Sequence, residues 1–333
     1  MVCADTRRAA SAWVLAAVLC GTAPAVAQTT DAAASYPDRP IRIIVPFPAG
    51  GPTDILARVV GQRLSEDLRQ PVIIENRPGA DTIIAAQMVA KAPPDGYTLL
   101  AAMDTTLVMN LATKPSLPYD PYKDFAYISM ASQNTSLLSV RAEDGPKTVQ
   151  ELIAKAKANP GKLNYGAGII TTRLSGYLFA REAGIQVQLI PYKGSPDVVQ
   201  GLLTGAVDFI VDGIATAIPL INAGKVRALA KLNSRPLPAL PSVEPLSVVA
   251  GLPNLGDISS WTGFVAPAGT PRPIVDKLQK AIAQMYADPA VFKKLESSGI
   301  TAVASTPEEF EDYFRKEAVR WQAVFKDSGI KLD

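Results

Sequence analysis

The 333-residue chain contains no histidine. This absence excludes Ser-His-Asp and Cys-His nucleophilic catalysis, the HExxH zinc motif and histidine-ligated metals in general. Catalysis by paired carboxylates or by a Ser-Lys arrangement remains formally open. However, no serine stands in a GxSxG motif, and the acidic residues are scattered or lie on helix faces that water can reach. We therefore expect no catalytic residue, no metal site and no cofactor.

Cysteine is nearly absent too. Cys3 and Cys20 both fall within residues 1–27, which combine two arginines, an apolar run and small residues ending at Ala27. This pattern is typical of a cleavable signal peptide, and the apolar run is too short for a membrane anchor. Lipidation at Cys20 is a second alternative, although leucine precedes it where that signal requires a small residue. We expect cleavage near Ala27, export, and a mature chain without disulfides.

An excess of charge is also lacking. The sequence has 33 basic and 31 acidic residues, and removal of residues 1–27 leaves 31 and 30. This balance gives no argument for nucleic acid or an anionic membrane surface as a partner.

The most informative stretch that is present is residues 41–64, IRIIVPFPAGGPTDILARVVGQRL. A β-branched run of strand length leads into a proline- and glycine-rich turn and then into apolar residues at helical spacing. Pro52 suits the first helical position, where its missing N–H costs nothing. The positive end of the helix then presents uncovered amides, which predicts an anion site formed by Gly50, Gly51, Thr53 and Asp54.

Farther along, short β-rich runs alternate with helical patterns, which predicts an α/β fold with largely parallel sheets. Residues 125–130 and 136–140 are predicted as two strands. A second block from residue 163 repeats the opening pattern, and its turn at residues 193–197 again precedes a helix with proline in the first turn. Two such turns predict two lobes facing a cleft, with the ligand at the carboxyl ends of the strands. Neither turn is a nucleotide-binding motif.

The C-terminal part reads as three helices that begin at Thr270-Pro271, Asp288-Pro289 and Thr306-Pro307. Thr306 and Glu309 form a capping box, so the acidic residues that follow serve to build a helix. We expect this helical block to pack on the first lobe.

Six strings together carry a family resemblance: FPAGGPTD, ENRPGA, PYKGSPDVVQGLLTGAVDFIVD, RALA, SRPLPALP and WTGFVAPAGTP. In this order, from about residue 36 to residue 333, the chain resembles the Bug-type (TctC-like) extracytoplasmic substrate-binding proteins of tripartite tricarboxylate transporters. The resemblance implies a two-lobed, periplasmic-binding-protein-like (type II) fold with two crossing strands. Lobe 1 would comprise residues 36–138 and 258–333, and lobe 2 residues 139–257.

The function implied by the resemblance is capture of a small organic carboxylate (mono-, di- or aromatic) in the periplasm and its delivery to membrane permease subunits. We expect a monomer without enzymatic activity. Two other functions remain open: an extracytoplasmic sensor for a signalling partner, and an exported enzyme that uses carboxylates in the cleft.

In the family, backbone amides, hydroxyls and ordered waters hold the ligand carboxylate. Carried over by motif, the site in lobe 1 comprises Phe47, Ala49, Gly50, Gly51, Asp54, Thr105 and Thr106. The site in lobe 2 comprises Gly168, Thr171, Thr172, Arg173, Tyr192, Lys193, Gly194 and Asp212.

The chain departs from its family at GAGIITTRL, where a longer loop followed by histidine is common and Arg173 stands instead. If Arg173 faces the cleft, a dicarboxylate or an aromatic carboxylate is favoured. Each site residue also has a structural interpretation. The glycines suit a tight turn, the threonines cap a helix, and the basic side chains are ordinarily solvated. In the structural interpretation, Asp54 and Asp212 accept hydrogen bonds from backbone amides.

Overall fold

The computed structural model describes residues 35–252, 258–297 and 300–328. The predicted signal peptide, residues 1–27, lies outside the described residues. The strands are β1 (Ile41–Val45), β2 (Val72–Asn76), β3 (Thr98–Met103), β4 (Phe125–Arg141), β5 (Leu163–Ala167), β6 (Val187–Pro191), β7 (Phe209–Gly213), β8 (Val226–Lys231), β9 (Ser259–Pro267) and β10 (Ile300–Ala302). The α-helices are α1 (Pro52–Leu68), α2 (Ile83–Ala90), α3 (Asn110–Thr113), α4 (Val149–Ala158), α5 (Ile170–Ala183), α6 (Ser195–Leu203), α7 (Ile214–Asn222), α8 (Leu246–Val249), α9 (Arg272–Met285), α10 (Pro289–Ser297) and α11 (Pro307–Ser328).

The first lobe is built on β1, which lies between β2 and β3 with parallel pairing on both sides. β9 then joins antiparallel to β3, β4 pairs antiparallel with β9, and β10 closes the far edge of β4. The side chains of β1 are almost all buried, as the β-branched run predicts for a strand covered on both faces.

The second lobe repeats this plan. β5 lies between β6 and β7 in parallel pairing, and β4 pairs antiparallel with β7 on one side and β8 on the other. The parallel strands of both lobes end towards the helices α1, α5 and α6 that follow them in sequence. This topology places the amino ends of those helices where open α/β sheets bind ligands.

The lobes are joined by β4, which is one strand of 17 residues rather than the two predicted strands. Its partner changes from β9 to β7 between Thr135, which pairs with Ser259, and Ser136, which pairs with Gly213. The linking residues Ala131–Thr135 contain no proline or glycine that would end a strand, so the prediction of two strands was wrong. The return crossing passes through Asn233, whose amide donates to Thr135 Oγ1 at 3.1 Å and Ser259 Oγ at 3.0 Å.

The C-terminal helices cover the first lobe, as predicted. α9 packs on α1, and α11 packs on β4 and α3. The capping box before α11 is confirmed: the Thr306 amide donates to Glu309 Oε2 at 2.8 Å, and the Glu309 amide donates to Thr306 Oγ1 at 3.1 Å. Across the described ranges, no helix has the length and apolar character needed to cross a membrane.

Candidate functional site

Four helices, one from the first lobe and three from the second, begin at one small space between the lobes. Their N-cap residues, Gly51 of α1, Ile169 of α5, Gly194 of α6 and Gly213 of α7, all line it. We call this space the inner pocket. Its volume is about 40 Å³, which is room for a carboxylate group or a few waters. The described residues that line it are Phe47, Pro48, Gly51, Pro52, Thr53, Met103, Asn134, Ser136, Ile169, Thr172, Gly194, Ser195, Pro196, Asp212, Gly213 and Ser260.

The positive groups that line the inner pocket are helix amino ends rather than cationic side chains. No lysine or arginine is found among its described lining residues. The first amides of a helix have no acceptor within the helix, and each helix adds a positive dipole end. The Asn134 side chain, 5% exposed, lines the pocket, and its Oδ1 has no hydrogen-bond partner within the described ranges.

The two lobes meet directly around the inner pocket. A Cβ added to Gly194 in lobe 2 would lie 3.1 Å from Pro48 Cδ in lobe 1, and one added to Gly213 would lie 3.1 Å from Pro52 Cγ. The structure is therefore closed, and these glycines permit that close approach of the backbone.

A larger space adjoins the inner pocket, because Phe47 and Ile169 line both. We call it the outer chamber. Its volume is about 530 Å³, within the range of small-molecule sites. It is lined by Pro46, Phe47, Pro78, Gly79, Ala80, Asp81, Thr82, Thr105, Gly168, Ile169, Arg173, Pro191, Tyr192 and Lys193.

Asp81 holds Arg173 across the cleft. Arg173 Nη1 lies 3.3 Å from Asp81 Oδ1, and Lys114 Nζ donates to Asp81 Oδ2 at 2.9 Å. Asp81 lies in the middle of three successive non-glycine residues with positive φ, namely Ala80 at 47°, Asp81 at 49° and Thr82 at 76°. Left-handed backbone costs an L-residue roughly 1–2 kcal/mol, and such strain is concentrated at functional sites.

Asp54 is used within its own lobe. Its Oδ2 accepts the Gly50 amide and Arg58 Nε, both at 2.9 Å, and its Oδ1 accepts Asn76 Nδ2 at 2.9 Å. Burial opposes ionisation, but the hydrogen bonds from Arg58, the Gly50 amide and Asn76 outweigh it and lower the pKa of Asp54. These contacts fit the structural interpretation of Asp54, in which its carboxylate accepts a hydrogen bond from a backbone amide. The Gly50 amide is therefore not free to bind the anion of a ligand.

Asp212 lines the inner pocket, and each of its two carboxyl oxygens accepts a hydrogen bond from a hydroxyl. Its Oδ1 accepts the Ser195 hydroxyl at 2.6 Å, and its Oδ2 accepts the Thr216 hydroxyl at 2.7 Å. Burial raises the pKa of Asp212, and these two hydroxyls and the Gly213 amide only partly oppose it. Asp212 therefore positions the start of α6 beside the pocket.

Asp104 is a buried carboxyl at the contact between the lobes. It follows β3 in lobe 1, and its Oδ2 accepts the hydroxyl of Thr171 in the first turn of α5. Burial raises the pKa of Asp104 to about 7, against hydrogen bonds from Thr171, Thr105 and Trp261 that lower it. The sequence did not single out Asp104, since a lone acid after a strand carries no motif.

The structure divides the predicted site residues into three groups. The inner pocket is lined by Phe47, Gly51, Thr172, Gly194 and Asp212. The outer chamber is lined by Phe47, Thr105, Gly168, Arg173, Tyr192 and Lys193. The other predicted residues are not among the described residues that line either space; they are Ala49, Gly50, Asp54, Thr106 and Thr171.

Several lining residues were missed by sequence reasoning. Asn134 and Ser136 come from β4, and Ser260 comes from β9. These are strand residues at the crossing, and only the pairing of distant strands brings them to the cleft. Ser195 was identified as a possible cap, and its position beside Asp212 gives it a place in the pocket wall.

A closed two-lobed α/β protein, with helix amino ends converging between the lobes, is a solute-binding protein by architecture. The sequence matches the family described as "Tripartite tricarboxylate transporter family receptor" over residues 56–330. The chain belongs to this family, which confirms both the predicted fold class and the resemblance seen in the sequence.

Three similar proteins illustrate the match. Protein BugT of Bordetella pertussis (strain Tohama I) is 34% identical over 301 residues, which cover 90% of this chain and 92% of BugT. The structure titled "R. palustris Rpa4515 with adipate" is 33% identical with a TM-score of 0.85, covering 89% of this chain and 99% of that one. The structure titled "MatC (Rpa3494) from Rhodopseudomonas palustris with bound malate" is 33% identical with a TM-score of 0.81, covering 87% and 99%.

Proposed function

We propose that this protein captures a small organic carboxylate between its lobes in the periplasm and delivers it to a tripartite tricarboxylate-type permease. The observation that carries this proposal is the convergence of four helix amino ends on the inner pocket. A helix amino end stabilises an anion by about 0.3–1 kcal/mol at exposed sites and up to about 2 kcal/mol in partly buried ones. An anion in contact with ends from both lobes therefore stabilises the closed form.

Family membership and the solved relatives support the same class of ligand. Rpa4515 is described with adipate and MatC with malate, both of them dicarboxylates. The permease partner follows from the family description. A protein of this kind binds its ligand without changing it, so we propose no enzymatic activity for it.

The proposal includes the remaining expectations from the sequence. Lobe 1 would comprise residues 36–138 and 258–333, lobe 2 residues 139–257, and the mature monomer would begin after cleavage near Ala27. The ligand contacts would come from the predicted residues that line the two spaces. Asp54 and Gly50 would support the site indirectly, because the hydrogen bond between them fixes the turn before α1.

The experiment is a thermal-shift screen of the mature chain, residues 28–333, with aliphatic and aromatic mono-, di- and tricarboxylates, amino acids and neutral polyols. A ligand at a hundred times its dissociation constant adds roughly 2.7 kcal/mol of stability, which is readily seen. We expect shifts with carboxylates only. A shift with polyols and none with any carboxylate would refute the proposal.

A further inference from the structure

Asp104 is a buried carboxyl that joins the two lobes without lining the ligand site. It follows β3 in lobe 1 and is 1% exposed. It is not among the described residues that line the inner pocket or the outer chamber. Its Oδ2 accepts the hydroxyl of Thr171, which comes from the first turn of α5 in lobe 2. Separation of the lobes would break this hydrogen bond and let water reach the carboxyl.

Asp104 has no cation to stabilise a negative charge. Asp54 pairs with Arg58, and Asp81 pairs with Lys114. Asp104 forms no such pair within the described ranges, and its Oδ1 has no hydrogen bond of ordinary geometry there. An ionised carboxylate that is buried without a cation is costly, so burial favours the protonated form and raises the pKa of Asp104.

The helix α11 of lobe 1 packs on the turn that follows Asp104 and brings two titratable groups towards it. The negative charge of Glu317 opposes ionisation of Asp104, and Glu317 itself pairs with Arg320 Nη1 at 3.2 Å. Burial raises the pKa of Tyr313 to about 12, and Arg235 opposes that rise. Within the described structure, the cations of this region thus act on Glu317 and Tyr313 rather than on Asp104.

The strand β9 and the helix α5 complete the surroundings of Asp104. β9 contributes the backbone amide of Trp261, whose effect on the pKa of Asp104 is small beside that of burial. The charged residue in the first turn of α5 is Arg173, and its guanidinium pairs with Asp81 instead. The group that lobe 2 offers to Asp104 is therefore the neutral hydroxyl of Thr171.

Asp212, a second buried carboxyl at the cleft, does not depend on closure in the same way. Burial raises its pKa too, but its donors Ser195 and Thr216 belong to its own lobe. These hydrogen bonds persist when the lobes separate, whereas the bond from Thr171 to Asp104 is lost.

We propose that Asp104 couples ligand capture to the uptake of one proton, which the closed cleft holds on this carboxyl and the open cleft releases to water. The inference rests on the proposed function, since the ligand has to close the cleft. Closure takes one H⁺ from the solvent onto the carboxylate of Asp104, and opening returns it, with no other bond made or broken. Because the closed form holds the proton more tightly, the affinity for the ligand should fall as the pH rises between about 4 and 7.

The test is calorimetric titration of the mature chain, residues 28–333, with succinate, glutarate, adipate and malate at several pH values from 6 to 8. Each titration is repeated in two buffers with different enthalpies of ionisation, which counts the protons taken up per ligand bound. For the acid that binds most tightly, the affinity should fall by up to about tenfold per pH unit below pH 7 and level off above it. At pH 6 the unmodified chain should take up as much as one proton more than Asp104→Asn, whose affinity should lack this pH dependence.

Glu317→Gln is the matched control, because Glu317 is the neighbouring carboxylate and lies on α11, outside the described lining of both spaces. This variant should keep the proton uptake. Thr171→Val provides a second, independent readout. The Thr171 hydroxyl lowers the pKa of Asp104, so its loss should extend the pH-dependent range to higher pH.

A purely structural Asp104, buried alike in the open and closed forms, would change stability when replaced but not the number of protons taken up. Equal uptake by the unmodified chain and Asp104→Asn, or an unshifted pH range in Thr171→Val, would overturn the inference. Tight binding that is independent of pH would do the same and leave the proposed function standing. Failure of all four acids to bind the unmodified chain would overturn the proposed function itself.

Discussion

The carboxylate of Asp54 accepts the backbone amide of Gly50 at 2.9 Å, which closes the turn between β1 and α1. An anion thus already sits at the amino end of α1, supplied by the helix itself. Gly51, Pro52 and Thr53, which come next in the chain, line the inner pocket. Asp54 thereby fixes the shape of a turn that the cleft depends on.

Asp54→Asn should lower the free energy of unfolding by about 1–3 kcal/mol at pH 7, the usual cost of weakening a buried, charge-assisted network. The matched control is Asp67→Asn on the same helix. Asp67 pairs with Arg63 at the surface, where an ion pair contributes about 0–1 kcal/mol. Urea denaturation measures both variants, and equal losses would contradict the role given to Asp54.

The pH dependence of this network has a definite sign. The pKa of Asp54 is lowered in the folded protein, so its contribution is present above the unfolded value, about 3.9. That contribution is lost as the pH falls through the lower folded value. The difference in stability between the unmodified chain and Asp54→Asn should therefore shrink below about pH 4.

Asp104 should make the stability of the folded protein depend on pH in the opposite direction. Burial raises its pKa to about 7, so the folded state holds this proton more tightly than the unfolded chain does. Stability should fall as the pH rises between about 4 and 7, by up to about 1.4 kcal/mol per pH unit from this group. Asp104→Asn should remove that component. Urea denaturation at a series of pH values measures the slope, and the same slope in Asp104→Asn and in the unmodified chain would contradict this role of Asp104.

Gly194→Ala tests whether closure needs the contact between the lobes. The added methyl group would lie 3.1 Å from Pro48 Cδ of the other lobe. Overpacking costs about 1–3 kcal/mol, so Gly194→Ala should weaken carboxylate binding roughly 5- to 100-fold. Its free energy of unfolding without ligand should hardly change. An unchanged calorimetric affinity would speak against the need for this contact in closure.

Thr306→Ala removes the reciprocal cap of α11. Loss of such a cap typically costs about 1 kcal/mol, and α11 packs on the crossing strand β4. We expect a lower midpoint in urea with no change in the relative affinities for carboxylates. A change in ligand preference would show that α11 influences the cleft.

Local signals predicted the start of each repeated unit well. The turn residues and Pro52 determine where β1 ends and α1 begins, because proline and glycine act through their own backbone geometry. The capping box at Thr306 is equally local. Such features depend on neighbours in sequence, so the sequence is sufficient to find them.

Features that depend on distant pairing were harder to predict. The continuity of β4 is set by its pairing with β9 and then with β7, and both of these strands lie far from β4 in the sequence. Asn134 and Ser260 reach the inner pocket for the same reason. The ion pair of Arg173 with Asp81 joins two lobes, and only their closed arrangement brings the partners together.

The central claim, that the helix amino ends between the lobes bind a carboxylate, is tested most directly by calorimetric titration with succinate, glutarate and adipate and with the corresponding neutral diamides. The diamides keep size and shape but carry no negative charge. The account predicts one-to-one binding of at least one of the acids and no measurable binding of its diamide. Diamides that bind as tightly as the acids would contradict it.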